Sequence, residues 1–361
     1  DLGLTVTIDA VGNVVASTSS DGAAGAVMTG SHIDTVGTGG RYDGNLGVLA
    51  GLEVIEATLA AGIDLQRPLA VAFFSNEEGS RYPPDMMGSL AYVGGMSVES
   101  VLEVEGADGT VVGQELERIG YRGPAPCPGA VPHAYVELHI EQGPVLDRAG
   151  LSIGVVEGVQ GISWTELLLT GQSNHAGTTP MTLRRDPMVV AAAVAVAARD
   201  IALELGGSQV ATVGSLTLHP NLVNVVPAHV TMTVDLRNTD EEALQFAERD
   251  LGKRTAQLAK AEGVEVTSRT LARFEPVEFD SRVVDQIEQL ATTRGLSTKR
   301  MPSGAGHDAQ MLARICPTGM IFVPSVDGVS HNPAEHTDEQ DLITGAQLLA
   351  DSLLALTEVT W

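Results

Sequence analysis

The sequence has few cysteines, few aromatic residues and no long uninterrupted apolar run. Cys127 and Cys316 are its only cysteines, too few for a disulfide scaffold. This scarcity fits a reducing compartment, and we expect a cytoplasmic protein. The longest apolar stretch, "PMVVAAAVAVAARDIALEL", contains Arg199 and Asp200 and therefore predicts a buried helix rather than a membrane span.

Positive charge is also scarce. Lys and Arg together number 21 against 46 Asp and Glu, which gives a formal net charge of -25. An acidic surface repels phosphate backbones and anionic membranes, so we expect neither nucleic acid nor a membrane as a partner. Hydrophobic residues make up 43% of 361 residues, which is enough for a large core and favours two domains over one.

Two kinds of hydrophobic pattern divide the chain. Residues 1–158 alternate short apolar runs with helical patterns such as "LGVLAGLEVIEATLAAG", which is the order of an α/β domain. Residues 159–273 follow a β-α-β-β-α-β order, typical of a small ferredoxin-like α+β domain. The first pattern returns over residues 274–361. The sequence therefore predicts an α/β sandwich domain interrupted by a smaller inserted domain.

Polar side chains follow four apolar runs of the first pattern, "AVMTG", "LAVAFFSN", "AYVEL" and "GMIFVPSVDGV". They are His32, Asp34, Glu77, Glu78, His139, Glu141 and His331. Each alone is compatible with an ordinary structural role. Ligands of open α/β sheets bind beyond the carboxyl ends of strands, and all four ends should open on one crevice. Since imidazole and carboxylate bind zinc and related ions, we expect a metal site there.

The stretch "MTGSHIDTVGTGGRYDGNLGVLAG", residues 28–51, is rich in glycine. The chain must turn sharply to bring Asp43 back beside His32, and "GTGGRYDG" supplies residues that tolerate positive φ. His32 and Asp34 share a face in extended backbone, so we expect the Asp34 carboxylate to orient the His32 ring. The alternative for Asp34 is a simple turn residue.

Six motifs in order resemble those of the N-carbamoyl-L-amino-acid hydrolases, within the dinuclear-metal aminoacylase and carboxypeptidase superfamily. They are "GSHIDTVGTGGRYDGNLGVLAGLE", "FFSNEEGSRY", "ELHIEQGPVL", "GQSNHAGTTPM", "SGAGHDAQ" and "FVPSVDGVSHNPAE". The resemblance implies a metal-binding α/β domain interrupted by a dimerisation domain, and hence a homodimer. It also implies a helical segment ahead of "DLGLTV", so we expect the true start to lie upstream of the printed sequence.

The resemblance implies a site with two divalent metal ions per chain, Zn²⁺ or Mn²⁺, with Co²⁺ and Ni²⁺ as alternatives. His32 and His139 would bind the first ion and Glu78 and His331 the second, with Asp43 bridging both. The resemblance implies Glu77 as the catalytic base and His175 as a substrate-contacting residue that can stabilise the oxyanion. Asp34 joins the candidate catalytic residues through its spacing to His32. The implied substrate contacts are Gln142, Asn224, Arg237, Gly304 and Ala305. The other histidines, His133, His219, His229, His307 and His336, are expected to be structural or exposed.

The expected reaction converts an N-carbamoyl-L-amino acid into the L-amino acid, ammonia and carbon dioxide. The same chemistry on allantoate or β-ureidopropionate is the nearest alternative. An aminoacylase or peptidase is disfavoured, because His139 stands where many peptidase relatives have an acidic residue. A binding module that has lost its metals is a further alternative, and the complete ligand set together with Glu77 argues against it.

Overall fold

A computed structural model describes residues 2–361. The chain forms two compact units. Unit 1 runs up to Val159 and resumes over Glu278–Trp361, whereas unit 2 comprises Gln160–Val277. The sequence pattern places these boundaries after residues 158 and 273.

Helices and strands alternate along most of the described chain. The strands are β1 (Thr5–Ile8), β2 (Val14–Ser17), β3 (Val27–His32), β4 (Leu69–Phe74), β5 (Ala134–Ile140), β6 (Ile153–Val159), β7 (Gly161–Thr170), β8 (Asn174–His175), β9 (Val210–His219), β10 (Val225–Val226), β11 (His229–Asn238), β12 (Glu265–Phe274), β13 (Val277–Glu278), β14 (Thr298–Ser303) and β15 (Thr318–Val323). The helices are α1 (Asn45–Ala60), α2 (Met87–Tyr92), α3 (Val98–Leu102), α4 (Val112–Ile119), α5 (Val145–Ala149), α6 (Pro187–Leu205), α7 (Glu241–Glu262), α8 (Ser281–Thr293), α9 (Asp308–Leu312) and α10 (Glu339–Glu358).

Unit 1 is built on a large mixed sheet with the strand order β1-β2-β4-β3-β5-β15-β6-β13, and β14 pairs with β6. Its centre is parallel, because β3 pairs in parallel with both β4 and β5, and β15 pairs in parallel with β5. In the sequence, polar residues follow each of these four strands. Their carboxyl ends meet at one edge of the sheet, which confirms the predicted convergence.

The central strands have continuous apolar sequences because they are buried. Every residue of β3, β5 and β15 is buried. Helices α1 and α10 pack against β3 and β5, and α9 also contacts both strands. Parallel strands covered on both faces need apolar side chains in both directions. The buried polar residues of these strands are therefore informative exceptions.

Unit 2 has a four-stranded antiparallel sheet in the order β12-β7-β11-β9. Its main elements follow the order β7-α6-β9-β11-α7-β12, which is the β-α-β-β-α-β pattern of the sequence. Helices α6 and α7 pack on each other and on the sheet, and the core between them includes Val194, Leu236 and Leu251. Strands β8 and β10 form a separate two-stranded ribbon.

Helix α6 differs from the buried helix that its composition predicts. Val190, Val194 and Ile201 are buried, but Val189 and Val196 are exposed. The reason is that the helix covers the sheet with one face only, so the apolar side chains of its other face point away from the core. Along residues 2–361, none of the helices combines the length and apolar character that a membrane crossing requires.

Candidate metal centre

Three buried side chains converge at the carboxyl ends of β3 and β5. Nε2 of His32 lies 3.6 Å from Oδ1 of Asp43, and Nε2 of His139 lies 3.3 Å from the same oxygen. His32 is the last residue of β3 and His139 belongs to β5, whereas Asp43 lies on the loop before α1. The three ligand atoms lie within 4.8 Å of one another, close enough for one cation.

A second group lies on the other side of the same carboxylate. Oδ2 of Asp43 is 3.3 Å from Nε2 of His331, and that nitrogen is 3.5 Å from Oε2 of Glu78. Glu78 follows β4 and His331 follows β15. The His331 side chain is 51% exposed, so this group is open to solvent while the first one is enclosed.

Asp43 belongs to both groups, and each of its oxygens faces one of them. Burial alone would raise the pKa of this carboxyl, but hydrogen bonds from His139, His32 and His331 hold the pKa of Asp43 well below its ordinary value. Asp43 is therefore a carboxylate. A carboxylate with one oxygen directed to each of two ligand groups is suited to bridging two cations.

The donor chemistry fits divalent metal ions. Three imidazoles and two carboxylates make up the two groups, a set that suits zinc and its first-row neighbours. Oε1 of Glu78 is buried without a hydrogen-bond partner among the described residues. A buried carboxylate oxygen without a partner is costly, and a cation would satisfy it.

Hydrogen bonds fix which ring nitrogen each buried histidine presents. Nδ1 of His32 lies 2.9 Å from the carbonyl oxygen of Asp34, and Nδ1 of His139 lies 2.9 Å from that of Ile140. A carbonyl only accepts, so each Nδ1 carries the proton and donates it. When the ring is neutral, Nε2 therefore carries the lone pair that a metal ligand needs.

The contact between Asp34 and His32 differs from the one expected. The main-chain carbonyl of Asp34 holds the ring, and its carboxylate Oδ1 stands 3.8 Å from the same nitrogen. The carboxylate is engaged elsewhere, because it accepts hydrogen bonds from the amides of Glu77 and Glu78, both at 3.2 Å. Asp34 therefore also fixes where the chain turns after β4.

Glu77 and Glu78 are neighbours with different surroundings. Oε2 of Glu77 lies 3.4 Å from Nε2 of His32, and the side chain is buried. Burial raises the pKa of Glu77 well above its ordinary value, although the charge of His32 opposes the effect. A carboxylate with a raised pKa at such a site is suited to accept a proton near neutral pH.

Two features of the glycine-rich loop hold Asp43 in place. The carboxylate of Glu335 accepts hydrogen bonds from the amides of Tyr42 and Asp43 at 3.0 and 3.2 Å. Gly44 has φ of +67°, and a Cβ atom there would lie 2.5 Å from the His32 ring. Only glycine fits at this position. Glu335 was not predicted from the sequence, since no pattern in "HNPAEH" links it to Asp43.

A buried acidic cluster beneath the first group was also missed. Glu137 accepts hydrogen bonds from the Ser31 hydroxyl at 2.7 Å and from the Ala309 amide at 2.8 Å. Asp308 is fully buried nearby, and burial raises its pKa to about 8. The available signal was the alternation of Glu137 and His139, which places two polar side chains on one face of a buried strand.

His307 connects the "SGAG" loop to His139. Its ring packs edge-on against that of His139, with centroids 4.5 Å apart, and its Nε2 lies 2.8 Å from the Ser303 hydroxyl. The same hydroxyl accepts a hydrogen bond from the Ala305 amide at 3.1 Å. Gly304 lies exposed between Ser303 and Ala305. The predicted pocket loop is therefore anchored to His139 through a histidine that was assigned only a structural role.

Gln142 and Glu141 follow β5, and their side chains point in different directions. Gln142 donates from Nε2 to Oδ2 of Asp43 at 3.0 Å, so it stands beside the second group. The Glu141 carboxylate instead accepts hydrogen bonds from the amides of Val145 and Leu146 at the start of α5. Gln142 has φ of +56°, so the backbone turns there and leaves the extended direction of β5.

The remaining candidates lie in unit 2. His175 is in β8, which pairs with β10, and the carbonyl of Asn224 accepts a hydrogen bond from Ala176 at 2.9 Å. The amides of Gly177 and Thr178 donate to Nδ1 of His175 at 3.0 and 3.3 Å. The neutral ring then carries its proton on Nε2, from which it can donate to a substrate oxygen.

Arg237 lies on β11 and is held by an acidic neighbour. Its Nε lies 3.1 Å and its Nη2 lies 2.9 Å from Oδ2 of Asp235. The guanidinium also lies over the Trp164 ring, 5.9 Å from the ring centroid. Its position is therefore set by a carboxylate and an aromatic face.

Comparison with known proteins identifies relatives over almost the whole chain. The model of peptidase family M20/M25/M40 matches residues 28–355. A Geobacillus stearothermophilus protein named N-carbamoyl-L-amino acid amidohydrolase is 40% identical over 366 residues, covering 99% of this chain and 88% of that protein. An Escherichia coli allantoate amidohydrolase is 36% identical over 362 residues, covering 99% of this chain and 87% of that protein.

Solved structures agree with these sequence matches. The crystal structure of an amidase of the hydantoinase/carbamoylase family from Burkholderia multivorans superposes with a TM-score of 0.94 at 41% identity. The superposition covers 100% of this chain and 88% of that chain.

Proposed function

From the premise that the chain belongs to peptidase family M20/M25/M40, we propose that it is a metal-dependent amidohydrolase that removes the carbamoyl group from N-carbamoyl-L-amino acids. The reaction adds water to the carbamoyl carbon and breaks its bond to the α-nitrogen. The products are the L-amino acid and carbamate, which decomposes to ammonia and carbon dioxide. We place the enzyme in the cytoplasm, as its two cysteines suggest.

The observation that carries the proposal is the position of Asp43 between two ligand groups. One oxygen faces His32 and His139, and the other faces His331. We assign His32, His139 and Asp43 to one divalent cation and Asp43, Glu78 and His331 to the other. When bound, such a pair of cations polarises a carbonyl oxygen and makes water more acidic. Zn²⁺ and Mn²⁺ suit these donors, and Co²⁺ and Ni²⁺ do as well.

Side chains of the protein would carry out the proton transfers. Oε2 of Glu77 accepts a proton from the attacking water and later delivers it to the departing α-nitrogen. Nε2 of His175 donates a hydrogen bond to the oxygen that gains negative charge, a role that its fixed ring proton supports. Asp34 keeps Glu77 in place through the Glu77 amide.

We assign substrate binding to five residues. Arg237 pairs with the α-carboxylate, since guanidinium and carboxylate form strong charge-assisted hydrogen bonds. Gln142 and Asn224 supply amide groups, and Gly304 and Ala305 line the loop that His307 anchors to His139. These assignments follow the family motifs together with the contacts described above.

Allantoate and β-ureidopropionate are the second candidate substrates. Both carry a ureido group and a carboxylate, so the same residues would serve. The match to a bacterial allantoate amidohydrolase at 36% identity keeps this candidate open.

We also propose a homodimer formed through unit 2. Helix α6 exposes Val189, Val196 and Leu203 in a row with a seven-residue spacing, which places them on one face. Strand β9 is an edge strand, with unpaired backbone groups along one side. An exposed apolar helix face beside an open sheet edge suits pairing with a second copy of the same unit.

The experiment that tests the function is an assay of ammonia release by the metal-loaded protein. The panel contains N-carbamoyl-L-amino acids, one D-enantiomer, allantoate, β-ureidopropionate, an N-acetyl amino acid and a dipeptide, the last two followed by amine release. We expect the highest kcat/KM with an N-carbamoyl-L-amino acid, and a kcat about 10²- to 10⁴-fold lower for the Glu77→Gln protein. Faster hydrolysis of allantoate or β-ureidopropionate would select the alternative, whereas activity on the peptide alone would reject both.

A further inference from the structure

The sheet of unit 2 has one face covered by helices and one face without them. Val234 and Leu236 of β11 are buried in the core beneath α6 and α7. Asp235 and Arg237 alternate with them and therefore point to the other face. Trp164 of β7 is directly opposite Asp235 in the antiparallel pair, so it also lies on the helix-free face.

On this face, an aromatic ring and an aliphatic side chain border the Arg237 guanidinium. The Trp164 ring centroid is 5.9 Å from Cζ of Arg237, and Trp164 remains 36% exposed. Val210 of β9 is directly opposite Arg237 and is also exposed. Asp235 holds the guanidinium through Nε and Nη2. The result is a fixed cation with apolar surfaces beside it.

Such a surface matches the chemistry of an apolar amino acid. Its carboxylate carbon and its side chain are both bonded to Cα, so the first side-chain atom lies about 2.5 Å from the carboxylate carbon. A carboxylate paired with Arg237 therefore places the side chain within reach of the Trp164 ring. Aromatic rings attract one another and bury large apolar areas when they stack.

We propose that Trp164 is a specificity-determining residue that contacts the substrate side chain and favours N-carbamoyl-L-amino acids with large apolar or aromatic side chains. The inference rests on the proposed function, in which Arg237 pairs with the α-carboxylate. Exposure of Trp164 is notable in a chain with only two tryptophans and 4% aromatic residues. Asp235 acts as a positioning residue, since it holds Arg237 beside the ring.

The first test compares two substrates within each protein variant. We measure kcat/KM for N-carbamoyl-L-phenylalanine and N-carbamoylglycine with the wild type, Trp164→Ala and Trp164→Phe. The ratio of the two values is independent of how much of a variant is folded. We expect Trp164→Ala to lower the ratio about tenfold, the effect of losing one aromatic contact, and Trp164→Phe to restore most of it. An unchanged ratio in Trp164→Ala would overturn the inference.

The second test measures the fluorescence of the Trp164 ring directly. Trp361, the other tryptophan, lies in unit 1 against His133 and Arg282, so Trp361→Phe leaves Trp164 as the only tryptophan. Adding Glu77→Gln slows turnover about 10²- to 10⁴-fold, so that the ligand persists during the measurement. We expect a saturable change in emission with N-carbamoyl-L-phenylalanine and a smaller one with N-carbamoylglycine. Fluorescence emission that changes with protein concentration, but with neither ligand, would show that Trp164 contacts a second copy of the chain. That result would overturn the inference.

The outcomes also separate this inference from the proposed function. The wild type could release ammonia from both substrates while the ratio of the two kcat/KM values stays the same in the Trp164 variants. In that case only the role of Trp164 is wrong. If the wild type releases ammonia from neither N-carbamoyl compound, the proposed function fails, and the inference fails with it.

Discussion

Glu77 and Glu78 are identical adjacent residues to which we assign different tasks. Oε2 of Glu77 lies within 3.4 Å of His32, and Oε2 of Glu78 lies 3.5 Å from His331. We predict that Glu77→Gln keeps both metal ions and loses about 10²- to 10⁴-fold in kcat, the usual contribution of a general base. Glu78→Gln should lose metal from the second group, because an amide is a weaker ligand than a carboxylate.

Elemental analysis beside kcat measurement checks this prediction, and each variant serves as the control for the other. The two differ by one position and carry the same chemical change. Equal metal content in the two proteins, with equal activity, would show that the assigned roles are wrong.

At the residue scale, sequence reasoning proposed the candidate ligands but not all of the residues that hold them in place. His32, Asp43, Glu78, His139 and His331 could be proposed because each lies near a strand end or in a recognisable motif. Glu335 could not, since its contact with Asp43 joins loops 292 residues apart. The predicted contact between Asp34 and His32 is present, but it is made by the main-chain carbonyl of Asp34 and not by its carboxylate. Sequence spacing does not distinguish these two groups.

At the scale of elements, one glycine of the loop between β3 and α1 packs directly against a candidate ligand. Gly44 and Gly62 both have positive φ, +67° and +64°, but a Cβ atom meets the His32 ring only at Gly44 and nothing within 4 Å at Gly62. Alanine at either position should cost about 1–2 kcal/mol of stability from the backbone alone. We predict that Gly44→Ala additionally loses metal binding and activity, because the His32 ring must move.

Gly62→Ala is the matched control and should keep its activity despite a lower melting temperature. Thermal unfolding, metal content and kcat measured on both variants separate strain from the loss of the site. If Gly44→Ala retained full metal content, the close packing of α1 against His32 would have no part in the site.

Element order was the most predictable level of the fold. The alternation of apolar runs and helical patterns was sufficient to place β3, β4, β5 and β15 in one sheet, because parallel strands buried on both faces have a strong apolar signal. The short β8–β10 ribbon was not predicted, since two-residue strands have no periodicity. The exposed half of α6 was not predicted either, because composition does not tell which face of an apolar helix is covered.

At the scale of the whole molecule, family membership predicted from six motifs is confirmed by the match over residues 28–355. The dimer remains a prediction. We expect that His175 of one chain serves the metal centre of its partner. Co-expression of His175→Ala with Glu77→Gln tests this, because a mixed dimer contains one site with both residues intact. With random assembly, about half of the dimers are mixed and about a quarter of all sites should work.

The two variants purified separately are the controls, and each should be far less active than the mixture. If His175 serves its own chain instead, every site in the mixture carries a lesion. No recovery of activity, with mixed dimers shown to form, would reject the shared site.

The central claim is that Asp43 joins two cation sites, and metal stoichiometry tests it most directly. Metal-stripped protein is loaded with increasing Mn²⁺ or Zn²⁺, dialysed, and measured for bound metal per chain and for ammonia release from an N-carbamoyl-L-amino acid. We predict that activity reaches its maximum at two ions per chain and that Asp43→Ala binds both ions more weakly. Full activity with one ion per chain would contradict the account.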